Sequence, residues 1–369
     1  YGDLSSTIPS EGGQYIYLKN IFSEKLAFIY GWTLFLVIQT GTLAAVNIAM
    51  AKFIGLIFPV ISSTKIIFSY GNYSLSTQAV FAILMVLLIT FINSKGIREG
   101  IIVQNIFTIT KVLSIILIII CGIFFGFNKE ILFSNFSLST LPELNLNTIK
   151  LIGMSMVGAM FASITWNNVT FVTSEIKKPE KNIKKALFIG TFLVIALYFL
   201  LNMIYLSTLS IEAIKTSPED IVIAAMMNNI FGQKALIFIA IIIAISAFGC
   251  ANGMILTGSR IYYKMAKDRL FFRKLAYIDR KTKVPQNSLW LQCFWICILI
   301  LWGNYAQLLD YVIYSAIIFY IITIFGIFKM RKIYPKRNDT YQVPNFIPIT
   351  FIILSSIIVL ILTIFKPLY

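Results

Sequence analysis

Nine runs of about twenty apolar residues follow one another from end to end of this chain, and no other feature limits its fold as much. A bilayer core is about 30 Å thick and a helix rises about 1.5 Å per residue, so each run can cross the hydrocarbon once. Backbone groups in lipid must be satisfied within the segment, so runs of this length have to be helices. They fall at about 26 to 58, 77 to 94, 101 to 127, 150 to 174, 185 to 209, 232 to 258, 286 to 303, 306 to 329 and 347 to 367. Pro59, Pro142, Pro218, Pro285 and Pro335 supply breaks between them. The expectation is one all-α polytopic domain over residues 1 to 369. Only 12% of residues are charged, against about 25% in soluble domains.

The basic residues orient this bundle, because short Lys- and Arg-rich loops stay in the cytoplasm. Of 31 Lys and Arg, 23 fall in the segment before residue 26 and in four alternate loops, around 95 to 98, 177 to 185, 260 to 283 and 329 to 337. Six lie on the opposite side, and Lys52 and Lys111 lie within runs. The expected cytoplasmic side is therefore that of the basic loops, with 59 to 76, 128 to 149 and 210 to 231 outside. The net charge of +16 does not point to nucleic acid, since the basic residues form short clusters between apolar runs rather than one soluble face.

Cys121, Cys250, Cys293 and Cys297 all lie in apolar segments without CxxC spacing, so they suggest neither a disulfide framework nor a zinc site. The chain has no histidine, which removes Ser/His and Cys/His nucleophilic chemistry. No cofactor or metal is expected. An integral membrane enzyme is the weakest functional class, because no carboxylate cluster or long soluble loop is present.

The run from 150 to 174 differs from the others. Small residues (Gly153, Ser155, Gly158, Ala159, Ala162, Ser163) lead into Phe161-Ala-Ser-Ile-Thr-Trp-Asn-Asn-Val-Thr170. A helix interrupted there would free backbone carbonyls and amides at membrane depth for a polar solute. A continuous close-packed helix, with its hydroxyls bonded back to the preceding turn, accounts for the same residues equally well.

The stretch from Phe161 to Asn182, with its Glu175-Ile-Lys-Lys-Pro-Glu-Lys-Asn182 ending, resembles the sixth transmembrane helix of the amino acid-polyamine-organocation permeases, above all their L-type branch. Three further stretches agree in order: Leu4 to Leu18 with its Gly-Gly-Gln-Tyr core, Gln104 to Lys111, and Ser246 to Asp268. This resemblance covers nearly the whole chain. It implies a leucine-transporter-type bundle of two inverted five-helix repeats, with substrate held between the first and sixth helices. It places residue 1 near the end of the second helix, so that the runs become helices three to eleven. The first helix, most of the second and the twelfth are then expected to lie outside this sequence.

By the same resemblance, Phe161 is the aromatic gate, Phe161, Ala162, Ser163 and Ile164 offer backbone carbonyls to a substrate amino group, and Trp166 and Asn167 support the pocket. Ile164 and Thr165 depart from the Gly or other small residues common in the L-type pattern, and Ile suits an unwound turn poorly. Lys111, about ten residues into its run, is by default a functional candidate; snorkelling to the interface is the alternative. The resemblance makes it a fixed cation in place of sodium, or a proton-coupling group, with Ser246 and Asn252 as neighbours or as packing residues only. Lys52 reads as a snorkelling lysine and Asp310 as an interfacial residue at a helix start. Tyr311, Tyr314 and Phe319 could face substrate or simply pack. Glu175 with Lys177 and Lys178 fits an inner gate and a solvated loop start equally.

The expected function is sodium-independent amino acid permeation by alternating access, as proton symport or exchange, in the cell membrane. The partners are a small amino acid, the bilayer and, for symport, protons. A non-transporting sensor of the same fold, or a carrier of polyamines or other organocations, is the alternative.

Overall fold

The computed structural model describes residues 1–70, 73–137, 145–217, 221–232, 234–302, 305–334 and 342–365. Pro142, Pro218, Pro335, Lys336, Arg337 and Lys366 lie outside these residues, and the side chains of Arg98, Glu175 and Lys234 lie outside those described. Two short helices, α1 (Gly2–Thr7) and α2 (Gln14–Ile21), precede α3 (Glu24–Thr33), which runs through a π-helical turn (Leu34–Ile38) into α4 (Gln39–Ile57). There follow a hairpin, β1 (Ile66–Tyr70) and β2 (Tyr73–Ser76), then α5 (Thr77–Lys95) and α6 (Ile97–Cys121). Next come α7 (Lys129–Asn135), α8 (Leu146–Ala162), a 3₁₀ segment (Trp166–Glu175), α9 (Pro179–Thr208), α10 (Ile211–Lys215) and α11 (Val222–Phe231). The rest is α12 (Lys234–Lys267), a 3₁₀ turn (Arg273–Leu275), α13 (Gln286–Trp302), α14 (Tyr305–Ile333) and α15 (Phe346–Phe365).

Eight of the nine expected spans are helical segments of 19 to 34 residues with the hydropathy of a membrane crossing, the one at Leu146–Thr173 being interrupted between Ala162 and Trp166. The ninth, α13, has 17 residues, at the short end of what crosses a bilayer. The fold is thus the expected polytopic all-α one. The loop expected at 59 to 76 holds the antiparallel hairpin, which pairs Phe68 with Leu75 and Tyr70 with Tyr73. Ile, Phe and Tyr favour the extended backbone, and strands of five and four residues are too short to show as an apolar run.

Burial sorts the spans. The α3–α4 span is 72% buried and forms the central pillar, whereas the α6 and α9 spans are 17% buried. Phe188, Ile189, Phe192 and Leu193 on α9 are exposed, as lipid-facing side chains must be. The pillar packs on α12, α13 and α14, and the core around it holds Leu34, Phe35, Ile38, Tyr262, Met265 and Phe319. Gly253 lets α6 approach α12: a Cβ there would sit 2.9 Å from the Gln104 amide.

Candidate functional site

Helix α8 starts on Asn145, whose Oδ1 accepts from Thr148 N at 2.9 Å, and ends at Ala162, inside the stretch that the sequence marked as polar. Ser163 caps it with φ −104° and ψ 5°. Its hydroxyl bonds back to the carbonyls of Ala159 (3.0 Å) and Met160 (3.1 Å), a contact that competes with helix continuation. Thr165 then takes φ 70°, the left-handed region that a β-branched residue adopts only under strain. Ten residues of 3₁₀ helix follow, with a kink at Val172; such runs seldom exceed three or four residues and often mark a hinge.

The break frees backbone groups. Among the described residues no donor reaches the carbonyl of Ser163 or of Ile164, while that of Phe161 accepts from Ile164 N (3.2 Å) and that of Ala162 lies 3.4 Å from the Tyr198 hydroxyl of α9. A narrow pocket beside the break is lined by Ile164, Thr165, Asn167 and Asn168, facing Gln14, Tyr30, Gln39 and Tyr320. These polar groups are amides and hydroxyls without formal charge. The free space between them is about 10 Å³, room for one water-sized sphere, so a larger guest requires movement of the walls.

A hydrogen-bonded network closes one side of the pocket. Asn167, 2% exposed, donates to Gln14 Oε1 at 3.2 Å and accepts from the Tyr320 hydroxyl at 3.2 Å. Gln14 Oε1 also accepts from Tyr30, and its Nε2 donates to Phe319 O (2.9 Å) and Thr323 Oγ1 (2.8 Å). The turn before Gln14 requires glycine: Gly13 has φ 48°, and a Cβ there would meet Thr170 Oγ1 at 2.2 Å and Phe171 at 2.7 Å.

The expected site residues therefore divide. Ile164 and Asn167 face the pocket. Ala162, Ser163 and Trp166 are exposed, and Trp166 packs edge-on against Tyr1 at 4.7 Å. Phe161 is half-buried against two apolar clusters. Lys111 is half-buried on α6.

Of the two roles the sequence allows Asn252, neighbour of Lys111 or helix-packing residue, its hydrogen bonds fit the second. Its amide donates to Gly100 O and Gln104 Oε1 (both 3.2 Å) and accepts from Asn93 at 2.8 Å. Gln104 is seven residues from Lys111, about 10 Å along the helix, so among the described residues Asn252 ties α5, α6 and α12 together and does not touch the lysine. Ser246 is half-buried on α12 and makes no described hydrogen bond to Lys111. The Tyr314 hydroxyl shares a hydrogen bond with Thr363 Oγ1 of α15 at 3.1 Å, and the Phe319 ring packs on Tyr30 at 5.1 Å. Lys52 is exposed.

Tyr30, Tyr198 and Tyr320 were not singled out by the sequence, and Gln14 stood only within the Gly-Gly-Gln-Tyr stretch that carries the resemblance, with no role attached. The only local signal was the Gly12-Gly13 pair, which marks the turn that presents Gln14.

Along its whole length the chain is similar to known membrane transporters. The chain is 26% identical over 371 residues to the b(0,+)-type amino acid transporter 1 of Mus musculus, covering 100% of this chain and 72% of that protein. It is 28% identical to the large neutral amino acids transporter small subunit 2 of Mus musculus, covering 96% of this chain but only 64% of that relative. It is 28% identical to the serine/threonine exchanger SteT of Bacillus subtilis (strain 168), covering 97% and 78%. A family model described as amino acid permease matches residues 1–368, and with a broken helix set in a polytopic all-α bundle, the chain belongs to the amino acid permease family.

Proposed function

We propose that this chain forms the core of a sodium-independent amino acid transporter of the cell membrane, working by alternating access as a proton symporter or an exchanger. The observation that carries this reading is the pair of undonated carbonyls, Ser163 and Ile164, at a strained helix break. Two carbonyl oxygens suit a substrate ammonium group without a buried counter-charge. Phe161 is the gate over the site, Ala162 adds a third carbonyl, and Trp166 and Asn167 support the wall. The two inverted five-helix repeats expected from the sequence fit this role, with the basic loops facing the cytoplasm.

The uncharged pocket lining favours an amino acid with a neutral side chain over a polyamine or other organocation, which calls for carboxylates. Lys111 is the fixed cation, or the proton-coupling group, on the scaffold; Ser246 lies on the facing helix, and Asn252 holds that helix in place. Sealed vesicles containing the protein test the reading by uptake of labelled amino acids in sodium-free buffer, with and without a proton gradient. Uptake that neutral amino acids compete for supports it, and Lys111→Ala reduces that uptake strongly. Absence of uptake of any amine-bearing solute overturns it. Saturable binding without flux points instead to a sensor of the same fold, a reading motivated by Ile164 and Thr165 where smaller residues are usual.

A further inference from the structure

Gln14 is 1% exposed, and every hydrogen-bonding position of its side chain is filled. Its two N–H groups go to Phe319 O and Thr323 Oγ1 on α14, and its oxygen takes Tyr30 from α3 and Asn167 from the 3₁₀ segment. Asn167 is held from its other side by Tyr320 of α14. One amide thus joins α2, α3, α14 and the segment that follows the helix break. In an interior of low dielectric, removing such a node strands several buried polar groups together.

We propose that Gln14 is the positioning residue that latches the 3₁₀ segment shut against α14, so that the pocket beside the helix break opens only when this node lets go. The proposal rests on the transport reading for its purpose, but the latch itself is a statement about the segment's mobility. The pocket's free space of about 10 Å³ fits a latched wall, and Gly13, the residue before the node, is itself seated on Thr170 of the same segment. A glutamate at position 14 separates the latch from mere packing. Protonated, Glu keeps a donor for α14 and an acceptor for Tyr30 and Asn167. Ionised, it has no donor and faces the Phe319 carbonyl. The titratable groups nearest the node are the phenols of Tyr30, Tyr320 and Tyr1, which stay uncharged across the range used.

The reporter is Thr170→Cys, at a fully buried position of the segment, read by the rate of N-ethylmaleimide labelling in reconstituted vesicles. The protein with Thr170 intact corrects for the native cysteines. With Gln14 present, labelling is slow. Gln14→Leu speeds it tenfold or more. Gln14→Glu labels like Gln14 at pH ~5 and at least tenfold faster at pH ~8, each rate taken relative to Gln14 at the same pH. Labelling that neither variant changes overturns the latch, and if Gln14→Leu does not fold, the Gln14→Glu pH series decides alone. Uptake by the parent protein is measured in parallel: its absence defeats the transport reading, while the labelling rates still decide the latch.

Discussion

Asn167 and Gln14 lie 153 positions apart and meet amide to amide, with Asn167 Nδ2 3.2 Å from Gln14 Oε1. The contact is possible because two irregular segments face each other. The Gly12-Gly13 turn ends where α2 begins, and the 3₁₀ segment begins where α8 has broken. Each irregular backbone is held by the other: Gly12 N donates to Phe171 O at 3.4 Å. Four consequences for stability can be measured.

Thr165 carries the strain of the break. Holding a β-branched residue at φ 70° costs about 1–2 kcal/mol, and glycine removes the steric part while adding unfolded-state entropy. Thr165→Gly is therefore expected to stabilise the protein by up to ~1 kcal/mol, read as a raised Tm in detergent. Thr165→Val, which keeps the branching and loses the hydroxyl, is expected to give no gain. A lower Tm for Thr165→Gly shows that the left-handed turn is not strained.

Gly13 allows no side chain. A Cβ there overlaps Thr170 Oγ1 and Phe171, so Gly13→Ala is expected to cost ~2–3 kcal/mol, the range of an overpacked site. Adding Thr170→Ala removes the nearer atom and recovers part of that loss, so the pair is non-additive. Costs that simply add in the double variant mean that the two residues do not touch.

How much of this was visible in the sequence depends on whether the cause was local. The break at 163 to 165 was half legible: small residues running into a polar stretch fit an interrupted helix and a close-packed one equally, and only the family resemblance implied the interruption that the structure shows. Which side chains turn into the pocket was not: Ile164 and Thr165 line it while Ala162 and Ser163 are exposed, and that choice follows from the dihedral angles of a three-residue turn. The Gln14 node was illegible, since its partners at 30, 167, 319 and 323 come together only through helix packing. For Asn252 the sequence left two roles open, neighbour of Lys111 or packing residue, and only the helix packing, which sets it against Gly100 and Gln104 seven or more residues before the lysine, separates them.

Asp268, just past α12, accepts from Tyr15 at 3.1 Å and pairs with Lys19 (3.1 Å) and Lys264 (3.3 Å). Burial alone would raise its pKa, but Lys19 and Lys264 outweigh that and hold the carboxyl below its ordinary 3.8. On Lys19, burial is likewise outweighed, by Asp268 and Glu24, and its pKa rises above 10.5. The depressed carboxyl contributes stability above the unfolded Asp pKa and loses it as pH falls through the folded value; the raised amine contributes below the unfolded Lys pKa and loses it as pH climbs. Stability from the cluster is thus level near neutrality and falls at both extremes. Asp268→Asn is expected to lower stability by on the order of 1 kcal/mol at neutral pH and to flatten the acid limb of Tm against pH. An acid limb parallel to that of the parent protein removes Asp268 from this account.

Asp3 of α1 is 1% exposed and is paired by the Arg331 guanidinium at the end of α14, which also reaches Asn345 Oδ1 and Val343 O. A buried carboxylate deprived of its partner is costly, whereas replacing both charges by apolar groups is often tolerated. Arg331→Ala is therefore expected to destabilise by ~3 kcal/mol or more, and the pair Asp3→Leu with Arg331→Met by clearly less than Arg331→Ala alone. Arg331→Lys is expected to fall between, since an ammonium lacks the planar fork that serves three acceptors at once. Thermal unfolding of the four proteins in one detergent orders them. If the double variant is the least stable of the set, the contact is net stabilising through its charges and the desolvation argument fails for this site.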